Sequence, residues 1–123
     1  MLRSRGESKS ALFRIYKGDD NKSHIEEITP SHPVLKSPQV AASIFFKEFL
    51  PGTFLDWHPA PRRQIVIIIS GHLENEFRGG SKHTFGPGDV RLLEDTTGEG
   101  HRTRVVGHET VLVAVVPLPD ADS

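Results

Sequence analysis

The chain has 123 residues, 16 acidic against 15 basic side chains, a formal net charge of −1 and no cysteine. That length fits one domain and can bury a core without covalent staples. The mixed charge excludes the basic stripe of a nucleic-acid binder, and the missing cysteines exclude disulfides and thiolate-bound metals, so any metal must sit on nitrogen and oxygen.

The uninterrupted apolar runs, such as Ile65 to Ile69, are far too short to cross a membrane. The basic start MLRSRGESKS has no apolar stretch of the signal-peptide kind behind it. A cytoplasmic protein without nucleic-acid or membrane partners is therefore expected.

Residues 1–10 are expected to be a flexible segment, 11–118 a single domain and 119–123 a loosely held tail. ALFRIYKG (Ala11 to Gly18) predicts a first strand, ended by GDDNKS, and SHIEEI a second. Three prolines between Pro30 and Pro38 predict a loop. VAASIFFKEFL predicts one long strand or a strand pair, stopped by Pro51-Gly52. TFLDWH follows, then QIVIIIS, apolar enough to be buried on both faces. HLENEF alternates, and Gly79-Gly80 predicts a hairpin to KHTF. The turn GPGD leads into VRLLE; RTRVVG and TVLVAVVPL close the series. Short β-branched segments at even spacing, with no long amphipathic helix, predict an all-β sandwich or barrel.

One stretch carries more than fold. From Gly52 to Gly71 the chain reads PGTFLDWHPAPRRQIVIIISG without its first residue, placing His58, Ala60 and Gln64 at fixed gaps between two glycines. This spacing resembles the first conserved motif of the cupin superfamily, G(X)5HXH(X)3-4E(X)6G. The glycines, the first histidine and the gaps match, whereas Ala60 stands at the second histidine and Gln64 at the glutamate. GPGDVRLLEDTTGEGHRTRV is similar to the second cupin motif, with Pro87-Gly88-Asp89 as its turn and Gly98 shortly before His101. The whole looks like a small single-domain cupin of the cupin-2 conserved-barrel kind.

The resemblance implies a double-stranded β-helix, or jelly-roll, barrel with His58, Gln64 and His101 converging on one cavity. It also implies a possible divalent metal (Fe, Mn, Ni or Zn) on those three residues, in a family whose usual set is three imidazoles and one carboxylate. Two imidazoles and a neutral amide hold a divalent ion weakly, so a metal-free pocket remains an equal alternative. Asp56 shares strand parity with His58, and Glu94 and Asp95 precede the His101 turn; any of them could return a carboxylate.

Arg62, two residues before Gln64, has the cavity-facing parity and suits a carboxylate or phosphate ligand. Glu94 or Asp95 could clamp it at the mouth, which makes all three candidate substrate-binding residues. The other histidines, His24, His32, His72, His83 and His108, are expected at the surface, and Trp57 in the core or an interface. The expected function is binding of a small, anionic organic molecule in the barrel, with metal-assisted chemistry or, alternatively, as a metal-free binding or sensing module. No catalytic residue is assigned, and whether the chain is an enzyme stays open. Apolar strands near both ends, SIFFKEFL and TVLVAVV, predict a homodimer.

Overall fold

The computed structural model describes residues 10–35, 41 and 43–120. Residues 1–9 and 121–123, most of the segments read as flexible, lie outside the described residues. So do 36–40, in the proline-rich loop and at the start of the expected third strand, and Ala42.

Among the described residues, ten strands make two facing sheets. They are β1 (Leu12–Lys17), β2 (Ser23–Ile28), β3 (Phe45–Phe49), β4 (Phe54–His58), β5 (Gln64–Ser70), β6 (His72–Glu76), β7 (Lys82–Phe85), β8 (Val90–Leu93), β9 (His101–Val106) and β10 (Val111–Pro117). One sheet has the order β2-β1-β8-β5-β10-β3, the other β4-β9-β6-β7. A single short 3-10 turn, Pro33–Leu35, lies among the described residues outside the strands. No helix there is long and apolar enough to cross a membrane.

The alternation read from the sequence becomes an inside and an outside. On β5, Gln64, Val66 and Ile68 are buried, and on β10 Val111, Val113 and Val115 are too. They meet Phe13, Ile15, Leu93, Leu73, Phe77, Phe85 and Val105 in one core between the sheets. Side chains two apart on a strand share a face, so β-branched residues at those positions fill the interior while their neighbours face out. QIVIIIS is not buried on both faces as expected: Ile65 and Ile67 are half-buried and Ile69 is exposed. Among the described residues, nothing covers the outward side of the sheet enough to bury Ile69.

Two irregularities position the site. β1 pairs with β8 in parallel, Leu12 opposite Val90 through Ile15 opposite Leu93, while the other strand pairs are antiparallel. On β4, pairing to β9 shifts register between Leu55 and His58. Such a bulge reverses which side chains point inward. The third expected strand is shorter than read, starting at Phe45, and it forms the edge of its sheet.

Candidate functional site

The site is an open cavity of about 500 Å³ between the sheets. His58, Gln64 and His101 all line it, together with Ala60, Arg62, Arg91 and Thr103. Apolar walls come from Phe45, Phe49, Leu55, Val66, Leu93, Val113 and Val115. Lys47 completes the lining on the edge strand β3. The size is that of ordinary small-molecule sites.

His58 and His101 are register partners across β4 and β9, and directly opposed residues on one face touch. Their ring centroids are 4.9 Å apart. Each ring is oriented from behind. His58 Nδ1 donates to the Asp56 carbonyl oxygen at 2.7 Å, and His101 Nδ1 donates to Asp95 Oδ2 at 2.6 Å. A neutral ring in either position carries its proton on Nδ1 and keeps the Nε2 lone pair free.

Asp95 is fully buried and takes a second hydrogen bond from the Ser23 hydroxyl. Its Oδ1 has no hydrogen-bond partner. Gly100 lets β9 approach closely enough for this arrangement: its φ is +78°, and a methyl group there would run into the His58 carbonyl.

Three expectations about acidic residues are corrected. Asp56 does not point inward. The β4 bulge turns it outward, where its carboxylate accepts from the Trp57 backbone N–H and from Arg102 Nε; the first of these, helped by the second, holds its pKa low. Glu94 does not clamp Arg62. Leu93 faces inward opposite Gln64, so Glu94 faces outward, bridging Arg14 Nε at 2.6 Å and Arg63 Nε at 2.8 Å. Asp95 supports His101 from behind and does not line the cavity.

The arginines also separate. Arg63 is buried against Glu94, whereas Arg62 is exposed at the cavity mouth and donates from Nη1 to Gln64 Oε1 at 2.9 Å. Trp57 is half-buried on the outer side of its sheet, under the guanidinium groups of Arg78 and Arg102. Among the histidines expected at the surface, His72 and His108 are exposed and His24 and His32 half-buried. His83 differs: its ring packs 4.6 Å from both Phe13 and Phe85.

Sequence reasoning missed Arg91. It lines the cavity at only 4 % exposure. Its Nη1 donates to Asn75 Oδ1 at 2.9 Å, and Asn75 is fixed in turn by donating to Thr103 Oγ1 and the Arg102 carbonyl. Arg91 Nε has no hydrogen-bond partner among the described residues. Burial pulls the guanidinium pKa down to about 10, opposed by the charge of Asp95. It is still a cation at neutral pH, held in a cavity wall that carries no carboxylate.

The donor set can be tested against the metal that the motif implies. Two Nε2 atoms are available; Ala60 supplies no third imidazole, and Gln64 Oε1 is occupied by a guanidinium. Among the described residues, no three of His, Cys, Asp and Glu are grouped to hold an ion. Arg62, Arg91 and Lys47 line the same cavity. Two neutral nitrogens among cations do not fit a tightly held divalent ion.

Comparison with solved structures places the fold. The chain is 23% identical, at a TM-score of 0.51, to a cupin 2 conserved barrel domain protein from Salinispora arenicola, covering 69% of this chain and 71% of that one. A protein of unknown function from Rhizobium leguminosarum matches at 22% identity and TM-score 0.51, over 78% of this chain and 98% of the other. The DMSP lyase DddQ of Ruegeria pomeroyi matches at 22% identity and TM-score 0.50; 65% of this chain covers 39% of that enzyme. No family model and no curated protein matches the chain. The fold is that of the cupin barrels, with two β-sheets facing each other across the cavity, as the motif spacing implied.

Proposed function

We propose that this chain binds a small anionic organic molecule inside the barrel, as a soluble cytoplasmic protein and without a resident metal. One observation carries the reading. Of the seven described arginines, Arg14, Arg63, Arg78, Arg102 and Arg104 pair with carboxylates. The two that form no ion pair among the described residues, Arg62 and Arg91, are the two of them that line the cavity. A buried cation is stable only when something compensates it, and an anionic ligand supplies that compensation. Carboxylates and phosphates match a guanidinium in shape as well as charge.

The two imidazoles add acid–base capacity. With Nδ1 engaged, His58 and His101 each present Nε2 as an acceptor, or as a donor after taking a proton. The motif histidines thus have a use without a metal. The metal reading rests on the same two Nε2 atoms, and a chelator separates it from this one.

Thermal unfolding with a panel of small carboxylic acids, with and without EDTA, is the direct test. A melting temperature raised by at least one acid, to the same extent with chelator present, is the expected result. A stabilisation that appears only with added Zn, Mn, Ni or Fe would transfer the function to the metal reading. Following the bound acid by NMR over time then distinguishes an enzyme from a binding module.

A further inference from the structure

The cavity's cations are not gathered at one point. Arg91 is deep, on β8, whereas Arg62 is exposed at the mouth just before β5. Val66 pairs with Arg91 across these strands, and Arg62 precedes Val66 by four positions. At about 3.3 Å per residue the two arginine backbones lie at most about 13 Å apart along the strand. Gln64 stands beside Arg62, and Val66, Leu93, Val113 and Val115 give the same lining an apolar part.

We infer that the occupant is a dicarboxylic acid with an apolar spacer, one carboxylate on the buried Arg91 and the other on Arg62 at the mouth. The inference rests on the anion-binding reading above. The inner anchor is preorganised: Asn75 holds Arg91 Nη1 and leaves Nε, a buried donor, without a partner. The outer anchor is steadied by Gln64 and by the Phe45 ring, whose centroid is 6.0 Å from the Arg62 guanidinium carbon. Arg62 spends one of its N–H groups on Gln64, and the other donors of the fork remain. A monocarboxylate would satisfy Arg91 and leave Arg62 without a counter-ion. A diacid satisfies both, and its methylene chain lies against the valine and leucine wall.

Isothermal titration decides it, with succinate, glutarate, adipate and suberate set against butyrate, valerate, hexanoate and octanoate, and inorganic phosphate as a separate arm. The best diacid is expected to bind at least about tenfold more tightly than the monoacid of equal length, the scale of one charge-assisted pair. Arg62→Gln, at an exposed position that folding does not need, should lower the affinity for the diacid to that of the monoacid. Monoacids binding as tightly as diacids, a diacid preference that survives Arg62→Gln, or phosphate matching the best diacid would each overturn the inference while leaving anion binding intact. No binding by any acid would overturn both.

Discussion

His101 donates its Nδ1 proton to Asp95 across 2.6 Å, and that carboxylate has no contact with solvent. Ser23, from the β1–β2 hairpin, donates to the same oxygen. One acidic group thus fixes a cavity imidazole and ties a distant hairpin to it. Asp95→Ala strands two buried donors, and each such loss costs about 1–3 kcal/mol. A total destabilisation of about 2–4 kcal/mol is expected in urea denaturation, with Asp95→Asn milder because its carbonyl oxygen still accepts. An alanine variant within about 0.5 kcal/mol of the parent would show that the network contributes little.

Arg91 illustrates the opposite balance. Its folded pKa of about 10 lies below the ordinary arginine value, so the folded chain holds this proton less tightly than the unfolded chain does. The charge therefore opposes folding at every pH below about 10, by something of the order of 3 kcal/mol, and the penalty fades only as pH rises from there towards the ordinary arginine value. Arg91→Met removes that penalty and loses the hydrogen bond to Asn75, worth about 1 kcal/mol. Ligand-free stability equal to the parent's, or up to about 2 kcal/mol higher, is the outcome expected from chemical denaturation. Acid binding should disappear in the same variant. A loss of stability beyond about 1 kcal/mol would mean that Arg91 is there to hold the fold.

Gln64→Glu separates anion from metal. A carboxylate at this position would pair with Arg62 Nη1, which now donates to the amide oxygen, and would repel an acidic ligand. Calorimetry should show acid affinity falling by about tenfold, one charge-assisted contact, while zinc and manganese affinities stay weak. A gain in metal affinity of a hundredfold or so would instead restore the donor set that the motif implies.

Two glycines with left-handed backbone should respond very differently to a methyl group. Gly107 has φ +85° and open space around it, so Gly107→Ala carries only the conformational penalty of about 1–2 kcal/mol. Gly100→Ala adds a collision with the His58 backbone and should cost more than about 4 kcal/mol, seen as loss of soluble protein or of cooperative melting. Equal effects from the two would contradict the close β4–β9 approach that brings the imidazoles together.

Self-association follows from the edge strand. Phe46 is 64 % exposed, and Ile44 and Leu50 beside it are exposed as well. An open apolar edge of this kind invites pairing with another copy. Sedimentation velocity at micromolar concentration is expected to show a dimer, and Phe46→Glu a monomer. A monomeric parent would show that the edge is tolerated uncovered.

The barrel was legible because its turns are marked by glycines and prolines and its strands by alternation. The meeting of His58, Gln64 and His101 was legible because the gaps between them match a known pattern. What stayed hidden depended on pairing between distant strands. Arg91 sits among Val90, Leu92 and Leu93, and its inward direction follows only once β8 is set against β5, with Leu93 opposite Gln64. The same register carries Glu94 to Arg63 on the outer side, one residue from the expected partner. Asp56 was misplaced by parity counting because a bulge leaves no mark in FLDWH that alternation could reveal.

The parallel pairing of β1 with β8 has a consequence for biosynthesis. Ala11 is hydrogen-bonded to Asp89, 78 residues further along the chain. A ribosome extends a chain by about 5–20 residues per second, so Phe13 and Ile15 leave the tunnel roughly 4–16 s before the strand that pairs beside them leaves it. During that interval the first hairpin is an apolar ribbon without a partner, open to trigger-type holding factors or to hairpins on neighbouring nascent chains. Crowded translation, more than heat, is the condition under which this barrel should be most prone to aggregate.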